Sequence, residues 1–218
     1  MEAKPVLASF LFLVVSSMPC MALADKPSQS PFHGLHKKVD ALLSHVVACP
    51  RTHKRFVDNG DGTICDGHTG LMWEKKNAAD GVQDLSNPHD VDNLYSWSDP
   101  EDGDFINPDG TVFTDFIAKL NGAVAQFVES EQLAGYRDWR VPTLWELQTL
   151  HPDTCVGSPC VVDPILLPTA TFLYWSATSL PRDFIGPVYA WGVFFNVDGA
   201  IDVSKTLGLH ARAVRGGR

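Results

Sequence analysis

Aspartate is far more common than glutamate in this chain of 218 residues, with 20 Asp against 6 Glu. Aspartate favours turns and helix caps, whereas glutamate favours helix interiors, so the imbalance predicts a fold rich in turns and strands. The densest group of turn residues spans 58–62 (DNGDG), between short β-prone runs of the segment 55–73, and predicts a hairpin. A second hairpin is predicted at the turn Asp198-Gly199.

The last third of the chain has the pattern of an antiparallel sheet. Aromatic and β-branched residues fill 172–178, 189–197 and 200–204. Both faces of 189–197 are largely apolar, which predicts a central strand. The alternating run 210–215 is expected to end the same sheet.

Two main helices are predicted. Apolar residues recur at three- and four-residue spacing from Thr111 to Glu129. Thr143 and Glu146 form a capping box at the start of a second helix. With a polar surface excursion at 77–110 and a Pro-rich loop at 151–170, the pattern predicts an α+β fold with two main helices packed on a twisted antiparallel sheet.

The first 24 residues have the pattern of an export signal. A short apolar run, 6–15, leads to Ala22-Leu23-Ala24, which predicts cleavage between Ala24 and Asp25. An uncleaved anchor is the alternative, but the run is shorter than the ~20 apolar residues that span a bilayer. We therefore expect export to the periplasm or outside the cell, with membrane contact only through this signal. After the signal we expect a linker with a short helix at 25–48 and a domain at 49–218.

Four cysteines follow the predicted signal, since Cys20 lies within it. In an exported protein an even number predicts two disulfides, with three possible pairings. Proximity along the chain favours Cys49–Cys65 and Cys155–Cys160, the second across a loop with Gly and Pro. A metal site is the alternative, but no C-x-x-C occurs and no His stands at ligand spacing from a cysteine pair.

Charge and motifs exclude several classes of function. The net charge of −9, without a basic block, argues against nucleic acid binding. The segment 58–62 has Gly60 where a calcium loop needs a ligand, and the single histidines of 33–45 are typical of solvated or packing residues. Asp102 and Asp104 lie in the polar excursion without an element to position them. We therefore predict no catalytic residue, no metal and no cofactor.

Six short motifs occur in one order along the chain. They are Asp61-Gly62-Thr63, Thr69-Gly70-Leu71-Met72-Trp73, Asp138-Trp139-Arg140-Val141-Pro142-Thr143 with Glu146-Leu147, Tyr174-Trp175-Ser176-Ala177-Thr178, Ala190-Trp191 and Val214-Arg215-Gly216-Gly217. Over about 50–217 this order resembles the Lcl C-terminal domain family, named for a bacterial collagen-like adhesin. The resemblance implies a C-type-lectin-like fold, which agrees with the α+β pattern.

The residues that carry the resemblance are interpreted as structural. Arg140 and Glu146 are expected to bind each other or buried backbone, and Arg215 to pair with a carboxylate at the edge of the core. Large apolar side chains for the core come from Trp73, Trp139, Trp175 and Trp191.

Formylglycine-generating enzymes also resemble this chain at two segments, Arg140–Glu146 and Val214–Gly217. Those enzymes depend on a cysteine pair late in the domain, whereas the last cysteine here is Cys160. The similarity therefore extends to the scaffold and not to the activity.

These observations predict an exported, non-catalytic binding module that recognises a glycan or another surface polymer. The alternative is an envelope structural or protein-interaction domain that uses the acidic excursion 77–110. The resemblance implies sulfated polysaccharide as the ligand of the adhesin, but a net charge of −9 disfavours that ligand here. The sequence identifies neither the ligand-binding residues nor the oligomeric state.

Overall fold

The computed structural model describes Cys49, 53–103, 105–123, 132–155, 157–180 and 188–217. These residues belong to the second of two units into which the chain divides, 40–218. The predicted export signal, its cleavage position and the linker with a short helix lie outside the described residues.

Seven strands and a few short helices form the regular structure of the described residues. The strands are β1 (Phe56–Asp58), β2 (Thr63–Asp66), β3 (Leu71–Glu74), β4 (Leu173–Leu180), β5 (Tyr189–Phe194), β6 (Ala200–Ser204) and β7 (Val214–Gly216). Helix α1 consists of a π-type segment, Val112–Ile117, continued by an α-type segment, Ala118–Leu120, and α2 is Leu144–Gln148. Short 3₁₀ turns span Leu133–Gly135 and Pro164–Leu166.

The first sheet has the strand order β1-β2-β3-β7, and all its neighbours are antiparallel. The predicted hairpin at 58–62 is confirmed, and its turn is closed by Gly60 N, which donates to Asp58 Oδ1 at 2.9 Å. Gly60 and Gly62 have φ values of 77° and 85°, which glycine adopts without a steric penalty.

The second sheet has the order β4-β5-β6 and is also antiparallel. Strand β5 is central, as its two apolar faces predict, and the turn at Asp198-Gly199 leads into β6 at Ala200. Two antiparallel sheets with short helices confirm the α+β class, although we expected one sheet and two main helices.

The prediction that the run 210–215 ends the second sheet is wrong. Leu209 and His210 form single bridges with Tyr95 and Tyr174, and the chain then crosses to the first sheet. There Val214 pairs with Trp73 of β3. The C-terminal segment thus connects the two sheets, which no local sequence pattern indicates.

The helix predicted from Thr111 to Glu129 is shorter among the described residues. Helix α1 ends at Leu120, Asn121 follows as its C-cap, and Gly122 has a φ of 67°. The side chain of Asn121 accepts a hydrogen bond from Trp139 N and donates one to Trp139 O, both at 2.9 Å. Asn and Gly favour helix ends, so this pair was the stop signal within the apolar pattern. Residues 124–131 lie outside the described residues.

The prediction that 77–110 lies on the surface is wrong for its middle part. Tyr95 and Trp97 are 1% and 5% exposed and belong to the core. Tyr95 exchanges backbone hydrogen bonds with Leu209, and the indole of Trp97 donates to Ser176 O at 3.1 Å. The segments 77–86 and 99–103 are exposed.

Two disulfide bonds are present, and they join the pairs that proximity along the chain favoured. Cys49–Cys65 and Cys155–Cys160 both have a Cα–Cα distance of 5.4 Å. The first attaches Cys49 to β2, and the second closes a turn in the predicted loop 151–170.

The core consists of two clusters of buried side chains. Consecutive residues of β3, Met72 and Trp73, belong to different clusters, as do Tyr174 and Trp175 of β4. Because neighbouring strand residues point to opposite faces, both faces of each sheet are covered by apolar side chains. No helix within the described ranges is long and apolar enough to cross a membrane.

Candidate ligand-binding site

The tryptophans of the family motifs lie mainly in the core. Trp73, Trp139 and Trp175 are 0%, 2% and 0% exposed, whereas Trp191 on β5 is half-buried. The three buried indoles stabilise the fold and are not accessible to a ligand.

Arg140 and Glu146 bind each other, and Thr143 joins them. Arg140 donates to both carboxylate oxygens of Glu146, at 2.8 and 2.6 Å, and to Gly216 O at 3.1 Å. Thr143 N donates to Glu146 Oε2 at 2.8 Å, and the predicted capping box is complete. Burial acts to raise the pKa of Glu146, but the hydrogen bonds from Arg140 and Thr143 outweigh it and hold the pKa below its ordinary value. This pair fixes α2 against β7.

Arg215 is buried on β7 and holds one exposed carboxylate. Its Nε and Nη2 donate to Asp138 Oδ1 and Oδ2 at 2.7 and 3.2 Å. Its guanidinium carbon lies 3.5 Å from the ring centre of Tyr136. The side chain of Arg215 is 1% exposed and that of Asp138 is 56% exposed. A buried cation thus fixes a carboxylate that faces solvent.

These residues line an open cleft of about 370 Å³, which we call the Tyr136 cleft. Its lining consists of Gly135, Tyr136, Arg137, Asp138 and Arg215. Gly135 has a φ of 76°, and a Cβ added there would contact nothing within 4 Å, so its surroundings are open. Arg137 is exposed at the rim.

The loop that carries the Tyr136 cleft is anchored at both ends. Leu133 and Trp139 are buried at either side of 134–138. Trp139 Nε1 donates to Leu133 O at 3.1 Å, and the amide of Asn121 holds the backbone of Trp139. The Tyr136 cleft is therefore built on a loop of defined conformation.

A second group of charges surrounds Glu74, which is completely buried at the end of β3. Glu74 Oε1 lies 3.0 Å from Lys76 Nζ and 2.9 Å from His89 Nδ1, and Ala213 N donates to Oε2 at 3.2 Å. Burial acts to raise the pKa of Glu74, but Lys76 and His89 outweigh it and lower the pKa from 4.5 to about 2. Glu74 is therefore an anion throughout the physiological range.

His89 also lines a cleft of about 290 Å³ beside the β1–β2 turn, which we call the His89 cleft. The lining is Asp58, Gly60, Gly62, Lys75, Lys76, Asn77 and His89. Asp58 and Lys75 form an ion pair at its rim. The β1–β2 turn, the residues directly after β3 and His89 therefore meet here.

Neither cleft contains a metal site within the described residues, where no three His, Cys, Asp or Glu side chains come together as ligands. Tyr136, Arg137 and His89 were not among the residues predicted from sequence, because they belong to no periodic element. Asp138 and Arg215 did occur in the quoted motifs, but only the fold shows that they pair.

A comparison with protein-family models matches the Lcl C-terminal domain over residues 62–215. No curated protein matches the chain. The match covers more than half of the chain and includes both clefts except for Asp58 and Gly60 at the rim of the His89 cleft. The chain therefore belongs to the Lcl C-terminal domain family.

Proposed function

We propose that this chain is an exported, non-catalytic binding module of C-type-lectin-like fold, and that it recognises a glycan at the Tyr136 cleft. The observation that carries the proposal is the carboxylate of Asp138, which is 56% exposed although a buried guanidinium holds it by two hydrogen bonds. A polar group that is fixed before the ligand arrives binds with a smaller loss of conformational entropy.

The carboxylate of Asp138 has capacity for a ligand. Each of its oxygens accepts one hydrogen bond from Arg215, and an ionised carboxylate offers about four acceptor positions in all. The remaining positions suit the hydroxyl groups of a sugar, which donate to them. The geometry leaves these oxygens on the solvent side, since Arg215 occupies the buried side.

Tyr136 and Arg137 complement this acceptor. Arg137 is exposed, and the side-chain oxygen of Gln132 accepts from its Nε and Nη2, so its remaining N–H groups are available to donate to sugar oxygens. Tyr136 is half-buried, with Arg215 on its ring, and adds an apolar surface and a phenol hydroxyl. A volume of about 370 Å³ is at the small end of ligand sites, which suits one sugar residue of a longer chain.

The charge of the Tyr136 cleft differs from that of the whole chain. Arg137 and Arg215 face one carboxylate, Asp138, in a chain of net charge −9. The net charge therefore does not describe the surface that a ligand meets, and both neutral and anionic sugars belong in a binding assay. The cleft supplies one carboxylate acceptor and two guanidinium donors, a combination that suits hydrogen bonding to sugar hydroxyls.

Export is part of the same proposal. Two disulfide bonds favour an oxidising compartment, and membership of a family named for an adhesin agrees with a position outside the cytoplasm.

A glycan array with the purified chain tests the proposed function. We expect binding to at least one glycan, and we expect Arg137→Met to weaken it by about tenfold or more, corresponding to ~1.4 kcal/mol. The matched control is Lys54→Met, which removes an exposed cation outside both clefts and should bind as the unchanged chain does. An array without any binder, or equal binding by both variants, would contradict the proposal.

A protein-interaction role is the second candidate, and the exposed segment 77–86 favours it. Val82 and Leu85 are 66% and 48% exposed, next to the acidic residues Asp80 and Asp84 in the sequence. Exposed apolar side chains among charges are typical of contact surfaces for proteins. Crosslinking that recovers a partner lost in Val82→Ser but not in Arg137→Met would support this role over the glycan site.

A further inference from the structure

We propose that the His89 cleft is a second ligand site, which binds a neutral, hydroxyl-bearing ligand such as one sugar ring. The inference rests on the proposed function for its class of ligand, but its residues are separate from those of the Tyr136 cleft. Three features support it: the orientation of His89, the ion pair at the rim, and the open space at Gly60 of the turn.

Glu74 determines which nitrogen of His89 faces the cleft. Glu74 Oε1 lies 2.9 Å from Nδ1 of His89, and a carboxylate accepts hydrogen bonds, so Nδ1 is the nitrogen that donates to Glu74 and Nε2 is the one left for the cleft. The side chain of His89 is 25% exposed and lines the cleft, and a ligand hydroxyl, which both donates and accepts, can pair with Nε2.

Lys76 does not compete for that ligand. Its ammonium contacts Glu74, donates to Pro88 O at 2.9 Å and lies 4.4 Å from the ring centre of Phe116. With 1% of the side chain exposed, its charge is neutralised inside the protein. Lys76 therefore supports the orientation of Glu74 and leaves the cleft without a buried, unpaired cation.

The rim of the cleft offers both a donor and an acceptor. Lys75 and Asp58 form an ion pair in which the two side chains are 36% and 33% exposed. An exposed ion pair of this kind retains hydrogen-bonding capacity toward solvent, since an ammonium has three donors and a carboxylate about four acceptor positions. A hydroxyl group both donates and accepts, so it suits this rim better than a purely anionic group, which Asp58 would repel.

Of the two turn glycines that line the cleft, Gly60 has open space around it, whereas Gly62 packs on Leu133. A Cβ built at Gly60 would meet nothing within 4 Å, and a Cβ at Gly62 would lie 3.2 Å from Leu133 Cδ1. Gly60 is thus open toward solvent, and the cleft of about 290 Å³ admits a single ring. The features together give one positioned hydrogen-bonding group, Nε2 of His89, opposite an adjustable donor and acceptor at the rim.

NMR titration of the full chain with methyl α-D-mannoside, methyl β-D-galactoside, methyl β-D-glucoside and methyl N-acetyl-β-D-glucosaminide tests the inference. We expect at least one probe to shift the amide signals of Gly60, Gly62 and Asn77 and the Nε2 resonance of His89. His89→Phe should weaken this response by about tenfold or more and leave the response of Gly135 unchanged, and Lys75→Met, at an exposed position, should also weaken it.

The reciprocal variant separates the two proposals. Arg137→Met should weaken the response of Gly135 and preserve that of Gly60. A response at Gly135 alone, or one at Gly60 that persists in both His89→Phe and Lys75→Met, overturns the second site and leaves the first intact. A response at Gly60 alone overturns the Tyr136 cleft as the sugar site, and no response at either position overturns both.

Discussion

The two clefts are built in the same way but differ in where the counter-charge of the buried charged residue lies. In each, a buried charge fixes an accessible polar group: Arg215 holds Asp138 in one and Glu74 holds His89 in the other. Arg215 has an exposed counter-charge, because Asp138 is 56% exposed. The counter-charge of Glu74 lies inside the protein, because the side chain of Lys76 is buried beside it.

This difference determines what each charge contributes to stability. Removing Arg215 leaves Asp138 in water, where a carboxylate is well solvated. Removing the charge of Glu74 leaves the ammonium of Lys76 inside the core, where an unpaired ion is costly. We therefore expect the His89 cleft to be tied to the stability of the fold and the Tyr136 cleft to tolerate substitution.

Glu74→Gln should give the largest loss of stability. A buried ion pair that loses one partner typically costs about 3–5 kcal/mol of unfolding free energy, because the other charge stays desolvated. Urea unfolding monitored by tryptophan fluorescence measures it. The double variant Glu74→Gln/Lys76→Met should recover part of the loss, and a cost below about 1 kcal/mol for Glu74→Gln alone would refute the role of Lys76.

Low pH should remove the contribution of ionised Glu74 to the unfolding free energy, by an amount similar to the loss expected for Glu74→Gln. The pKa of Glu74 is lowered from 4.5 to about 2 in the folded chain, so its stabilising effect is complete above pH 4.5 and is lost as the pH falls toward 2. The full effect corresponds to about 3 kcal/mol. Because the pKa values of Asp58 and Glu146 are also lowered, the test is the difference in stability between the unchanged chain and Glu74→Gln. That difference should shrink across this range, and a constant difference would be inconsistent with a depressed pKa of Glu74.

Arg215→Met should have a smaller effect, of about 2 kcal/mol. The methionine retains part of the packing against Tyr136 and Met72, and Asp138 remains solvated, so the loss consists mainly of two charge-assisted hydrogen bonds and the ring contact. The same unfolding experiment measures it. A loss that equals or exceeds that of Glu74→Gln would remove the proposed contrast between the clefts.

Thr143→Ala gives a reference for a half-exposed charge pair outside both clefts. It removes the capping interaction with Glu146 N and one contact to the carboxylate that binds Arg140. Loss of an N-cap typically costs about 1 kcal/mol. Thermal unfolding should detect this cost, and sugar binding should be unchanged. Altered binding would show that α2 is coupled to a cleft.

Local patterns predicted the local structure well. The turns at 58–62 and 198–199, the central position of the strand predicted at 189–197 and the capping box at Thr143 are all confirmed, because each depends on neighbouring residues. The strand itself is shorter than predicted and ends at Phe194. The pairing of β3 with β7 joins residues far apart in the chain, so periodicity could not reveal it. The burial of Tyr95 has the same origin, since a backbone bridge to Leu209 produces it.

The candidate site was less accessible to prediction than the fold. Asp138 and Arg215 occur in the family motifs, and a carboxylate partner for Arg215 was expected. Their exposure difference, on which the proposed role of Asp138 depends, is a property of the folded surface. His89 gave no signal, because a single histidine gains meaning only when the fold places it on Glu74.

The most direct test of the Tyr136 cleft uses the glycan selected on the array. Its affinity is measured for the unchanged chain, for Tyr136→Ala and for Trp145→Ala. Trp145 is 79% exposed on α2 and is not part of the cleft lining, so it is a matched aromatic control. We predict that Tyr136→Ala weakens binding by about tenfold or more and that Trp145→Ala leaves it unchanged, with both variants folded. Unchanged affinity in Tyr136→Ala, or an equal loss in Trp145→Ala, would contradict a glycan site at the Tyr136 cleft.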